Sequence, residues 1–263
     1  MANTMKGVIV EGVGAPYKVV DNLEVPQPGE HQVLVKSIAT AINPVYVSSK
    51  HLCAKYSPCS SDTYMSATGM LINSFPIVLG CDSSGIVVKT GPKATLKEGQ
   101  RVCGCTRLGH AGYSTFQEYF LVDDRFPTLP PSSLSFNEAA TIGVGTETAC
   151  INLLQGIKLP LPDDPASPLK TGEQEWVVVL GGAGSVGQYS VQIAKALGFK
   201  VVATCSKRTA ETVKNLGADA TVDYSLDEAK QIEEIKAVTG GNFFGVSGQS
   251  TITLPALNPR FLV

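Results

Sequence analysis

Apolar positions in the first half of the chain fall in short runs cut by Gly and Pro turns. Lys6–Val10, Gln32–Ala41, Gly85–Lys89, Gln100–Cys103 and Thr115–Val122 are rich in Val, Ile and aromatic residues, the pattern of half-buried strands. PQPGE at 26–30 and TGPKATLKEG at 90–99 supply turns. Two stretches interrupt this β-rich grammar. Ser48–Gly69 is polar and aperiodic, and Ser135 precedes a helical pattern as an N-cap.

After the Pro-rich segment LPDDPASPLKTGE at 161–173 the period changes. Trp176–Leu180 is a continuous apolar run of the buried parallel-strand type, followed by a Gly-rich turn and the helical pattern Val186–Leu197. Lys200–Thr204 and Ala220–Asp223 read as further strands, and Ala210–Leu216 and Leu226–Val238 as further helices. Strand and helix alternate, which predicts a parallel sheet built through crossovers. The expected fold class is therefore α/β, with a β-rich domain over 1–165, a partial doubly wound (Rossmann) domain over 166–245 and an atypical tail over 246–263. The tail can supply one strand, at Asn242–Val246 or near Ser250–Leu254. Only about half of a two-part dinucleotide fold is expected from it and the preceding residues.

Composition narrows the function classes. Twenty-one basic against 23 acidic residues leave a net charge of −2, which argues against bulk electrostatic binding to nucleic acid or a membrane surface. No apolar run reaches the roughly 18 residues of a membrane span, and the N-terminus lacks a secretory pattern. Seven irregularly spaced cysteines read as reduced thiols in a cytoplasmic protein.

The main chemical signal is Gly181-Gly-Ala-Gly-Ser-Val-Gly187, which contains G-x-G-x-x-G as Gly182, Gly184 and Gly187. It follows a buried strand and opens a helix, the context a dinucleotide fingerprint requires. Gly182 permits the turn, Gly184 lets the pyrophosphate approach and Gly187 allows close helix–strand packing. The amides of Ser185, Val186 and Gly187 would face the phosphates. About 20 residues further on, an NAD site places an acid against the ribose hydroxyls. Here Ser206-Lys-Arg-Thr209 follows the second strand, so Ser206, Lys207 and Arg208 predict a 2′-phosphate and NADPH as cofactor.

These motifs, with Ala41-Ile-Asn-Pro44, Val78-Leu-Gly-Cys-Asp-Ser-Ser-Gly85, Gly99-Gln-Arg-Val-Cys-Gly104, Phe116-Gln-Glu-Tyr119, Ala139-Ala-Thr-Ile-Gly143, Cys205-Ser206 and Val222-Asp-Tyr224, resemble the medium-chain dehydrogenase/reductase superfamily. Within it the chain resembles the zinc-free fungal trans-acting enoyl reductases that work beside polyketide synthases. The resemblance spans residues 5–245 and implies a GroES-like β-barrel domain followed by the Rossmann domain. By position it implies that Asn43, Pro44, Val45 and Tyr46 touch the nicotinamide end and that Ala183 to Val186 hold the pyrophosphate. Ser206 to Thr209 would then hold the 2′-phosphate, and Tyr224 would pack by the adenine. The segment Gly143, Val144, Gly145, Thr146, Glu147, Thr148, Ala149 and Cys150 would line the channel for a small or carrier-bound enoyl substrate, with Thr146 as a polar contact. The implied reaction is hydride transfer to an α,β-unsaturated thioester; the catalytic proton donor is left unassigned.

No metal is expected. The zinc branch of the superfamily uses a Cys and a His-Glu pair, where this chain has Asn43 and Cys81-Asp82. Cys81, Cys103, Cys105 and His110 form the weak counter-candidate for a tetrahedral site. Within the enzyme class the alternative is a quinone or alkenal reductase, and outside it a non-catalytic nucleotide-binding protein.

Overall fold

In the computed structural model, residues 3–43, 62–107, 109–125, 129–162 and 175–248 are described. The chain divides into two compact units, the first running to Val144 and the second from Gly145. This division falls ahead of the Pro-rich loop because the chain from Gly145 onward already packs Leu153, Ile157 and Leu159 into the core of the second unit.

The first unit carries strands β1 (Thr4–Val10), β2 (Lys18–Glu24), β3 (Gln32–Ala41), β4 (Ile77–Val78), β5 (Asp82–Thr90), β6 (Arg101–Cys105) and β7 (Tyr119–Asp123). They form two antiparallel sheets, ordered β2-β1-β4 and β6-β5-β3-β7. A bridge between Gly7 and Gln117 and the bond from Val8 N to Phe116 O tie the sheets together. Val33, Val35, Val87, Val102, Phe120 and Val122 fill the core of the larger sheet, each such side chain adding about 1.5–3 kcal/mol on burial. The predicted strand over Gln32–Ala41 is found with those ends, whereas β2 and β4 were not expected. β2 is mostly exposed and polar, so it carries little periodic signal, and β4 has two residues.

Of the polar stretch 48–69 only the helix α1 (Asp62–Thr68) and Gly69 lie within the described residues. Helix α2 (Phe136–Ala139) starts at the expected cap: Ser135 Oγ accepts from Glu138 N, and the Glu138 carboxylate returns to the Ser135 amide. The Ser135 hydroxyl first, and then its amide, hold the Glu138 carboxyl below its ordinary value. Helix α3 (Val144–Cys150) runs on into a π-helical turn, Ile151–Gly156.

In the second unit, strands β8 (Trp176–Val179), β9 (Lys200–Cys205), β10 (Ala220–Asp223) and β11 (Gly245–Ser247) form one parallel sheet in the order β10-β9-β8-β11. Its helices are α4 (Ser185–Ala196), α5 (Ala210–Asn215) and α6 (Glu228–Thr239). Alternate residues along β8 and Leu180, which follows it, serve two cores. Val177 and Val179 pack with Val191, Ala194 and Val213 of α4 and α5, while Val178 and Leu180 pack with Ile235 of α6. A sheet covered on both faces explains why β8 reads as an unbroken apolar run. Because β9 lies on one side of β8 and β11 on the other, the strand order reverses at β8. That reversal is the switch point where open α/β sheets bind ligands. Among the described residues no helix is long and apolar enough to cross a membrane.

Candidate cofactor site

The turn from β8 into α4 is held from β9. Gly181 N donates to Thr204 Oγ1 at 2.9 Å and Gly182 N to Thr204 O at 2.8 Å. Gly181 has φ +73°, a conformation that favours glycine. A Cβ on Gly182 would meet the Ala203 Cβ at 2.8 Å, and one on Gly187 would meet the Gly181 carbonyl oxygen at 2.1 Å. Gly184 differs, since its nearest neighbour would be Gly181 O at 3.4 Å. It caps α4 without a side chain, at φ −76° and ψ 166°. The first-turn amides, Ser185 to Gly187, have no carbonyl one turn earlier in the helix to bond. Two of the glycines are thus explained by packing, and the third leaves the helix N-terminus open to an anion.

Ser206 caps a 3₁₀ turn, Lys207–Thr209, at the end of β9. Its Oγ lies 2.8 Å from Thr209 Oγ1 and accepts from Thr209 N. Lys207 is 87% exposed, with its Nζ 3.8 Å from Asp223 Oδ2, and Arg208 is exposed as well. Asp223 had not been singled out: its register pairing with Cys205 sets it beside the predicted phosphate-binding turn. Its carboxyl is held below its ordinary value, mainly by the Ser225 backbone. Tyr224 is exposed, and its amide donates to Cys205 O. Ser206 to Thr209 and Tyr224 therefore meet at the ends of β9 and β10.

Helix α3 reaches the same unit. A Cβ on Gly145 would lie 2.5 Å from Ser185 Oγ and 3.3 Å from the Tyr189 ring, so the predicted substrate segment and the predicted pyrophosphate segment touch there. Thr146 Oγ1 is buried with no hydrogen-bond partner among the described residues. Burial raises the Cys150 thiol, and the Glu147 charge raises it further. Glu147 is exposed, Thr148 half-buried and Ala149 buried.

In the first unit the structure centres on a residue that sequence reasoning gave no role. Asp82, 3% exposed, accepts from Asn43 Nδ2 at 2.9 Å and, through its other oxygen, from Val144 N at 2.9 Å. Asn43 Nδ2 also points to Cys81 Sγ at 3.4 Å. The Asp82 oxygen is packed so closely that a Cβ on Gly143 would lie 2.2 Å from it. Burial raises the Asp82 carboxyl above its ordinary value, against the lowering effect of Val144 and Asn43. Pro44, Val45 and Tyr46 lie outside the described residues.

The catalytic zinc set of the superfamily does not fit this chain, because Asn43 and Cys81-Asp82 stand where its Cys and His-Glu would be. The four-residue counter-candidate is not brought together either. Among the described residues, the group that converges is Cys81, Asp82 and Cys105; His110 is exposed and sets its ring edge-on to Tyr113.

Comparison with known proteins agrees with this architecture. The alcohol dehydrogenase GroES-like domain family matches residues 29–131, and the zinc-binding dehydrogenase family matches residues 185–254. The chain is 33% identical over 224 residues to the trans-enoyl reductase TOXD of Cochliobolus carbonum, covering 83% of this chain and 67% of that protein. It is 34% identical over 241 residues to the trans-enoyl reductase RAP2 of Pyricularia oryzae, covering 88% and 60%. Among solved structures, the Escherichia coli quinone oxidoreductase complexed with NADPH superposes with a TM-score of 0.64 at 25% identity, covering 90% of this chain and 63% of that one. The chain thus spans about three fifths to two thirds of the length of these relatives. With a GroES-like domain match, a parallel nucleotide-binding sheet and a fingerprint at its switch point, the chain belongs to the medium-chain dehydrogenase/reductase superfamily.

Proposed function

We propose that the protein is an NADPH-dependent oxidoreductase of the trans-acting enoyl reductase type, reducing an α,β-unsaturated thioester presented by a polyketide synthase in cytoplasmic secondary metabolism. The observation that carries the nucleotide half is the open Gly184 cap of α4 at the switch point, flanked by the cationic turn after β9. The enoyl half rests on relatives whose names are trans-enoyl reductases.

When bound, NADPH would supply the hydride for the substrate β-carbon, and the α-carbon would then be protonated from solvent. This chain's residues bind and orient. The α4 amides face the pyrophosphate, and Ser206, Lys207, Arg208 and Thr209 hold the 2′-phosphate, with Tyr224 on the adenine side. Asn43, held by Asp82, would touch the nicotinamide end, as would Pro44, Val45 and Tyr46. Thr146, whose hydroxyl is buried and unpaired among the described residues, is the polar contact of the substrate segment Gly143–Cys150. No metal takes part in the transfer. Positioning and fixed dipoles provide the catalysis.

A quinone reductase is the second reading, favoured by the likeness to the bacterial quinone oxidoreductase. Turnover of enoyl thioesters against quinones, with NADPH oxidation followed by absorbance, separates the two, and greater turnover of quinones would replace the first reading by the second. The cofactor assignment has its own test. Lys207→Ala with Arg208→Ala is expected to weaken NADPH binding about tenfold or more, because the charge-assisted bonds to the 2′-phosphate are removed, and to leave NADH binding nearly unchanged. Equal weakening for the two cofactors would overturn it.

A further inference from the structure

We infer that Asp223 is a specificity-determining residue of the second unit: its carboxylate opposes the 2′-phosphate of NADPH and so limits how strongly that cofactor is preferred over NADH. This role rests on the proposed reading of Ser206–Thr209 as the 2′-phosphate turn. Asp223 closes β10 as the register partner of Cys205, the last residue of β9, and the turn begins at the next position. Tyr224 N donates to Cys205 O at 3.1 Å, which pins the two strand ends side by side. Ser225 N donates to Asp223 Oδ1 at 2.9 Å, while Asp223 Oδ2 lies 3.8 Å from Lys207 Nζ. One oxygen anchors the carboxylate, and the other faces a cation of the turn.

The Asp223 side chain is 13% exposed and that of Lys207 87%, so the acid is fixed by its surroundings while the base can swing. An ion pair at that distance with so exposed a partner holds little, and a dianionic phosphate entering the turn draws Lys207 away from it. What stays is an ionised carboxylate next to the phosphate, and like charges a few ångströms apart repel even in a high dielectric. NADH carries a hydroxyl at that position and meets no such repulsion. An NAD site places its acid at the end of the second strand, where it accepts from the ribose. Here the acid ends the third strand of the sheet, β10, behind the cations of the turn, and acts on the phosphate through its charge. Glu211, in the first turn of α5, is exposed and forms no ion pair with Lys207 or Arg208 among the described residues, so its charge should count for less.

Asp223→Asn removes the charge and keeps a carbonyl for Ser225 N. In calorimetric titration of the full chain, Asp223→Asn should bind NADPH about three- to tenfold more tightly than the parent and bind NADH as the parent does. Asp223→Ser, which removes the charge in a smaller side chain, should give the same gain, and Glu211→Gln a lesser one. The gain should shrink as sodium chloride is raised, since screening acts on charge and leaves packing alone. In the Lys207→Ala background the gain should persist, because the repulsion acts on the phosphate itself; its loss there would mean that Asp223 works only through Lys207 and would overturn the direct repulsion. A parent that binds NADPH no more tightly than NADH would remove the 2′-phosphate turn, and this role with it. A parent that prefers NADPH, with NADPH affinity unchanged or lowered in Asp223→Asn, would keep the turn and overturn the role of Asp223 alone.

Discussion

Three glycines in one turn answer to two different demands, close packing and room for a phosphate, and substitution separates them. Gly187 lies against the Gly181 carbonyl, where an added methyl at 2.1 Å cannot be accommodated without moving backbone. Gly187→Ala is therefore expected to destabilise the second unit by about 1–3 kcal/mol or more. At Gly184 the same methyl finds only Gly181 O at 3.4 Å, and its φ of −76° suits any residue. Gly184→Ala should keep the stability of the parent in urea unfolding yet lose NADPH affinity, because the methyl stands where the phosphate must approach. If Gly184→Ala bound NADPH as well as the parent, the pyrophosphate would have to lie elsewhere. These roles are legible in the sequence because strand, turn and helix are contiguous over 176–196. Steric demands between near neighbours leave a local pattern.

At the scale of elements, the Asp82 carboxylate joins the end of β3 to the start of α3. Its partners lie 39 and 62 positions away in sequence, so no periodicity or spacing announces them; only the unusual Cys-Asp pair at the head of a strand hints at a site. In β2 the missing signal has another cause, an exposed face without a pattern. By contrast the Ser135 cap, the run Gln32–Ala41 and the three strand–helix alternations of the second unit were readable from local signals. Exchanging the two side chains of the Asp82–Asn43 pair tests the joint. Asp82→Asn alone leaves a carbonyl for Val144 N but sets one amide against another at Asn43, and it should destabilise the first unit by about 1–3 kcal/mol at neutral pH. Adding Asn43→Asp restores both bonds, with the amide introduced at position 82 donating to the carboxylate introduced at position 43, and should recover most of the stability. A double variant no more stable than the single would mean that Asp82 does not couple the two elements. The parent also carries a pH signature. Burial raises the Asp82 carboxyl above its ordinary 3.8, so its contribution to stability is fullest below pH 3.8 and is lost as pH rises through the raised value. Asp82→Asn removes that slope.

For the whole molecule, the two units have separate cores, and ligand binding should act on them unequally. A ligand that binds only the native form adds RT ln(1 + [L]/Kd), about 2.7 kcal/mol at a hundredfold excess over Kd. The chain has a single tryptophan, Trp176, at the start of β8, packed beside the core that Val178, Leu180 and Ile235 share and with Lys200 Nζ 5.7 Å from its ring centroid. Its fluorescence therefore reports the second unit. With NADPH at that excess, the urea midpoint read by Trp176 should rise by the equivalent of about 2.7 kcal/mol. Hydrogen exchange should slow in the amides of β8 and β9 and stay unchanged in those of β1 and β2, which belong to the first unit. NADH at the same concentration should give a smaller shift, because the Lys207 and Arg208 turn has no 2′-phosphate to hold. Equal protection of β1 and β2 would mean that binding steadies the first unit as much as the second, while an unchanged Trp176 midpoint would remove the second unit as the cofactor site.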